Sequence, residues 1–196
     1  MMKPLQLLLP LLVLLCSCGG ETASDRPVPR RHAYPRPMLY PREYVSAGGS
    51  PAIDINSSAA VRTDSVNSAG ARWVTVDYPA YDGTIYMTFL PTTPSQFASA
   101  MDNRLERIGL NAGGGSMENL SFSSDDHGFS CELFTSRGET VSPVQFLAYD
   151  EGHTLLAYGT FNFNPGVDVA QTDSLAPIVN ALRLDMLHLL KSLNRR

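Results

Sequence analysis

The stretch from Trp73 to Leu90 limits what this chain can fold into more than any other. Val74, Val76 and Tyr78 alternate with Trp73, Thr75 and Asp77, and the chain then turns at Pro79-Ala-Tyr-Asp-Gly83. On the return, Ile85, Met87 and Phe89 alternate with Tyr86, Thr88 and Leu90. A period of two sends successive side chains to opposite faces of a strand. Two such runs joined by an Asp-Gly turn predict an antiparallel hairpin with one apolar face. A lone hairpin is marginal in water, so the rest of the chain must supply neighbours and a cover.

The cover is legible as two helices. Thr93-Pro94-Ser95-Gln96 has the capping-box order, with proline at the first helical position, where its missing N–H costs nothing. Phe97, Met101, Leu105 and Ile108 then recur at helical spacing, and Gly109 is the expected left-handed stop. A second helix opens near Asp173-Ser174, with Pro177 in its first turn and Leu175, Ile178, Leu182, Met186, Leu189 and Leu193 along one side. Lys191, Arg195 and Arg196 sit at its carboxyl end, the sign the macrodipole favours. Between the helices lie four further strand runs, around Leu120–Phe122, Phe129–Leu133, Val144–Ala148 and Leu155–Phe163, separated by turns at Ser124–Gly128 and Asp150–His153. The order strand, strand, helix, four strands, helix predicts an α+β domain over residues 73–196, with an antiparallel sheet of about six strands and two packed helices. In element order it resembles the PsbP-like sandwich.

The N-terminus is of another kind. Lys3 precedes an apolar run, Leu5–Leu15, too short to span a bilayer, which ends at Cys16-Ser17-Cys18. This resembles a bacterial lipobox, with residues 1–17 as signal peptide and Cys18 as the lipidated first residue; Ser17 before Cys18 is small, whereas Leu15 before Cys16 is bulky. Residues 18–50 form an expected tether, in which prolines interleave with arginines and favour extended polyproline II. Tyr34, Arg36, Tyr40 and Arg42 are its candidate partner-docking residues, since a pure spacer has no use for two tyrosines. Residues 51–72 are rich in Ser, Ala, Asn and Gly and are expected as a linker, with a short strand at Ile53–Ile55 and loop elsewhere. Within it, Asp64-Ser65-Val66 resembles an O-glycosylation acceptor of Bacteroidetes, with Ser65 as the candidate site.

Chemistry is sparse. The whole chain carries a formal charge of −4, which becomes one more negative when Lys3 leaves with the signal, and this argues against a nucleic-acid partner. Cys131 is the only cysteine left beyond Cys18, so no intramolecular disulfide can form, and on an apolar alternation it is a buried, inert thiol. The four histidines, His32, His127, His153 and His188, show no paired metal-ligand spacing, so no metal and no cofactor is expected. No Gly-x-Ser-x-Gly elbow is present, and Ala112-Gly-Gly-Gly-Ser116 lacks the Lys-Ser/Thr of a phosphate loop. Asp125-Asp126-His127 is the one constellation that suggests an envelope hydrolase, although acidic residues beside glycine are equally what a turn demands.

Several segments together resemble the gliding-motility lipoprotein GldD family of Bacteroidetes. They are Tyr34-Pro-Arg-Pro-Met-Leu-Tyr-Pro-Arg42 after the lipobox, Trp73–Pro91, Ser142-Pro-Val-Gln-Phe146, Tyr158-Gly-Thr-Phe-Asn-Phe163 and Asp173-Ser-Leu-Ala-Pro177. Residues 45–72 depart from the family pattern, being Ser/Ala-rich where it is more aromatic and charged. The resemblance brings no catalytic residue with it. It implies a non-enzymatic lipoprotein with a palmitate-type anchor in the inner or outer membrane and a body facing the periplasm. Its implied partners are envelope proteins of the gliding machinery and the associated secretion machinery, with no small-molecule substrate.

The anchor assignment is tested by lipid labelling. Each buried methylene contributes about 0.8 kcal/mol to membrane binding, so several acyl chains hold a protein firmly. Cys18→Ser should abolish labelling and leave precursor or soluble protein, while Cys16→Ser should change little. Undiminished labelling of the Cys18 variant would refute the assignment.

Overall fold

The structure, a computed structural model, describes residues 37–124 and 128–194. The expected signal peptide, Cys18, Tyr34, Arg36, His127 and the last two arginines lie outside the described residues. Nine strands and two α-helices are described: β1 (Tyr44–Ser46), β2 (Asp54–Asn56), β3 (Ala60–Val66), β4 (Arg72–Tyr78), β5 (Gly83–Pro91), α1 (Pro94–Asn111), β6 (Ser116–Ser124), β7 (Phe129–Arg137), β8 (Val144–Asp150), β9 (Leu155–Phe163) and α2 (Thr172–Ser192). Seven strands form one antiparallel sheet in the order β3-β4-β5-β9-β8-β7-β6, and β1 pairs with β2 apart from it. The α+β class and the element order from Trp73 onward are those expected.

The two faces of the sheet are covered by different helices. Val74, Val76, Ile85, Met87, Phe89, Phe146 and Phe161 point to one side and pack with Ile178, Leu182, Met186 and Leu189 of α2. Leu147, Leu156 and Phe134, one position out of phase, point to the other side and meet Phe97 and Ile108 of α1. The α1 layer is thin, because Leu105 and Leu110 of the same helix are exposed.

Local chemistry differs from expectation in four places. The segment from residue 57 to 72, expected as loop, contains β3, an edge strand with every residue exposed. Its sequence hides the strand because neither of its faces meets the core. Second, α1 runs past Gly109 to Asn111, and Gly113 at φ +64 supplies the left-handed turn. The Thr93 hydroxyl donates to Gln96 Oε1 at 3.0 Å, and no side chain caps the backbone. Third, α2 starts at Thr172, so Pro177 lies beyond its first turn and removes one bond to the Asp173 carbonyl. Fourth, the bend before β5 is a short 3-10 turn, Pro79–Tyr81, in which Asp82 takes the left-handed conformation at φ +48. Gly83 follows it where a Cβ would come within 2.1 Å of the Phe161 ring.

Leu182 is fully buried at the centre of the α2 interface. Leu182→Ala should cost about 2–5 kcal/mol, a large share of a typical stability of about 5–15 kcal/mol. Chemical denaturation should show this as a lower midpoint at unchanged slope, and abundance in cells should fall with it.

Candidate functional site

The chain enters the described body along α2. Tyr40 stacks on Tyr81 at 4.7 Å and on Tyr78 at 5.9 Å between ring centroids. Its N–H donates to the Tyr81 hydroxyl (2.7 Å), and its own hydroxyl accepts from the Ala80 N–H (3.0 Å). Tyr40 is therefore engaged by its own domain, while Arg42 two residues on is exposed.

From there the β1–β2 hairpin straps across the carboxyl half of α2. The Tyr44 ring stacks on His188 at 3.6 Å, and Asp54 Oδ2 faces His188 Nε2 at 3.6 Å. The Asp54 N–H donates to Ser192 Oγ (2.8 Å), and Ala52 and Asn194 exchange backbone hydrogen bonds at 2.7 and 3.0 Å. The centre of this clip is Asp185. Its Oδ1 accepts from the Tyr44 hydroxyl (2.9 Å) and more weakly from Asn56 Nδ2 (3.4 Å), which also donates to the Pro41 carbonyl (2.9 Å). Oδ2 is buried without a partner among the described residues. Burial pushes the Asp185 carboxyl above its ordinary range, against the opposing pull of the Tyr44, Asn56 and Tyr78 side chains and of His188. Burial and the same carboxylate push the Tyr44 hydroxyl up to about 12.

A second buried charge fixes the other end of the segment. Arg72 donates to both Asp64 carboxylate oxygens (2.7 and 2.6 Å) and to the carbonyls of Gly48 and Pro51, with its guanidinium over the Phe89 ring. The Arg72 hydrogen bond holds Asp64 below the usual carboxylate range. Gly49, at φ +81, lies against the guanidinium where a Cβ would approach within 2.4 Å.

Two clefts flank the amino-terminal half of α2. One, of about 500 Å³, lies between the helix and the entering chain, with Leu39, Tyr40 and Arg42 on its wall. The other, of about 610 Å³, lies between the helix and the ends of β6 and β7, with Glu118, Arg137 and Thr135 opposite Val179 and Arg183. Asp173, Ala176 and Asn180 line both and form the ridge between them.

The described histidines serve packing. His153, in the expected turn, is half-buried at φ +52 and stacks on Phe97 at 4.1 Å. Asp150 Oδ1 closes that turn by accepting from the N–H groups of Thr154 and Leu155 at 2.8 Å. Cys131 is buried, and burial raises its thiol to about 12, so the reactive thiolate is suppressed. Ser65 is exposed on β3, opposite Trp73. Among the described residues no group of three or more His, Cys, Asp or Glu is placed to hold a metal ion, and no helix is long and apolar enough to cross a membrane.

Asp185 and Arg72 were not singled out from the sequence. The signal for Asp185 was its place in the apolar stripe, three residues after Leu182 and four before Leu189.

The family described as gliding motility lipoprotein GldD matches residues 24–194. The chain belongs to that family. No curated protein and no solved structure matches it, so the PsbP-like sandwich stays an expectation from element order. Membership of a GldD lipoprotein family associates the chain with the cell envelope and with gliding motility.

The strap's central carboxylate makes a pH prediction. A raised folded-state value means that the native state binds the Asp185 proton more tightly than the unfolded chain does. Its contribution is therefore greatest in acid and is lost as pH rises through the folded-state value. Asp185→Asn keeps an acceptor for Tyr44 without the charge. It should raise the thermal midpoint at pH 7, with the difference from wild type shrinking as pH falls toward 4. A lower midpoint for the variant at every pH would refute this account of the clip.

Proposed function

We propose that this GldD-family chain is a non-enzymatic lipoprotein, anchored through Cys18, whose body binds protein partners of the gliding machinery and the associated secretion machinery. The observation that carries the reading is the family match over residues 24–194. The body's own arrangement supports it. Its buried ionisable groups hold the chain's entry segment in place: Asp185 with Tyr44 and Asn56, and Arg72 with Asp64.

The partner's seat is the ridge of Asp173, Ala176 and Asn180 with the cleft on either side. It lies beside the point where the tether joins the body, and exposed Met38 and Leu39 extend it. Tyr34, Arg36 and Arg42 are proposed to meet the partner from the tether side, whereas Tyr40 is taken up by Tyr78 and Tyr81. The body faces the periplasm in this reading.

A photocrosslinker at Asn180 in native membranes should trap a discrete protein adduct, and one at Ser99 on α1 should not. Ala176→Arg sits at an exposed position, so its effect on stability should be within about 0.5 kcal/mol. It should impair gliding, or the corresponding envelope phenotype, at normal abundance. His127→Ala should leave the phenotype intact; its loss at normal abundance would favour the hydrolase.

A further inference from the structure

The sheet face that carries α1 is only partly covered, and its open part has a particular chemistry. On this face Trp73 stands opposite Thr88, which stands opposite Tyr158; Thr75 stands opposite Tyr86, which stands opposite Thr160. Trp73, Tyr86 and Tyr158 therefore zigzag between two neighbouring rows across β4, β5 and β9, with threonines at the alternate positions. Ser65 and Thr63 of β3 continue the two rows outward. Trp73 and Tyr86 are 46% and 45% exposed, high values for large rings on a sheet.

The wall of this floor is α1. Gln96, Ser99, Asn103 and Arg107 recur at spacings of three and four, which puts them on one face of the helix. Two adjoining clefts of about 530 and 290 Å³ run between that face and β5, and Arg104 lines both. Arg104 also lies over the Tyr158 ring at 3.8 Å, and Arg107 Nε donates to Asn103 Oδ1 at 3.3 Å. No Asp or Glu lines either cleft. Among the described residues, Arg104 and Arg107 are the only charged side chains in the two cleft linings, in a chain whose formal charge is −4; at the far end of the floor Asp77 is paired with Arg62 and accepts from the Thr84 hydroxyl.

We propose that the trough binds an acidic polysaccharide, of the kind whose sugars carry carboxylates. Exposed aromatic rings offer flat faces for the C–H surfaces of successive sugar rings. The threonines, serine and amides offer donors and acceptors to sugar hydroxyls, and the two arginines supply forked donors that match carboxylates. The two rows from Ser65 and Thr63 across to β9 hold no aliphatic side chain, and Leu90 and Leu110 stand apart in the cleft linings, whereas the centre of a protein–protein contact is usually a continuous apolar patch.

Trp73 is the chain's only tryptophan, so its emission reports on this floor directly. Full-length protein in detergent micelles is titrated with polygalacturonate and with alginate, and with neutral dextran as control. A saturable change in emission with both acidic polymers, and none with dextran, is expected. Arg104→Gln with Arg107→Gln, and separately Tyr86→Ser, should each weaken the midpoint about ten-fold or more, equivalent to about 1.4 kcal/mol. Circular dichroism should be unchanged, and if the double variant misfolds, the exposed Tyr86 position carries the test alone. No response to either acidic polymer, an equal response to dextran, or a response that survives these substitutions overturns the proposal. A photocrosslinker at Thr75 that traps a protein from native membranes overturns it in favour of a protein partner.

Discussion

The pairing of β5 with β9 is the contact on which the rest of the structure depends. Nine residue pairs, from Gly83↔Phe163 to Pro91↔Leu155, join two segments that α1 and three strands separate in sequence. Without it the chain has two independent meanders, β3-β4-β5 and β6-β7-β8-β9, and no continuous face for either helix. The pairing requires glycine at two strand positions. Phe161 lies over Gly83, and Phe146 over Gly159, where a Cβ would come within 2.5 Å of the ring. Glycine inside a strand normally weakens it, and here it admits the two large rings that fill the centre of the core.

On that sheet, α2 is a wall shared by two structures. Its apolar stripe completes the core, and its carboxyl half carries the β1–β2 strap through Asp185, His188, Ser192 and Asn194. A buried carboxylate with one orphaned oxygen is a poor source of stability. It is a good source of position, because only one placement of Tyr44 and Asn56 satisfies Oδ1. The entering chain is thereby fixed to the helix whose amino-terminal half forms the ridge between the clefts.

Most of the sheet was legible because its strands have one buried face, and a buried face writes itself as alternation. β3 has none, and Ala60–Val66 looked like its polar surroundings; its place in the sheet comes from backbone pairing with β4 and from Arg72, which reaches across to Asp64. Long-range polar contacts leave no local trace: nothing near Tyr44 or Asn56 points to Asp185, 141 and 129 residues away. Tyr40 was expected to meet a partner, and the sequence could not say that its ring engages Tyr78 and Tyr81 of the same chain. The Asp82-Gly83 turn was visible, although the sequence did not show that Asp82 is the residue that takes the left-handed conformation there.

The open half of the α1 face follows from dimensions. Seven strands at about 4.8 Å spacing make a sheet about 30 Å wide, while a helix with its side chains is about 10–12 Å across and covers two or three strands. On one face the strap and α2 share the cover. On the other, α1 is alone over the clusters of β7, β8 and β9, and β3, β4 and β5 are left bare. A bare half-face could have been filled with charged residues, the usual solution for a sheet in water. Here charge is confined to the Arg62–Asp77 pair at one end, Trp73 and Tyr86 stand among threonines, and α1 turns its amides, serine and arginines toward them. An uncovered surface is thus forced by the topology, but the placing of Trp73 and Tyr86 on it, and two cleft linings that hold arginine and no carboxylate among the described residues, are not.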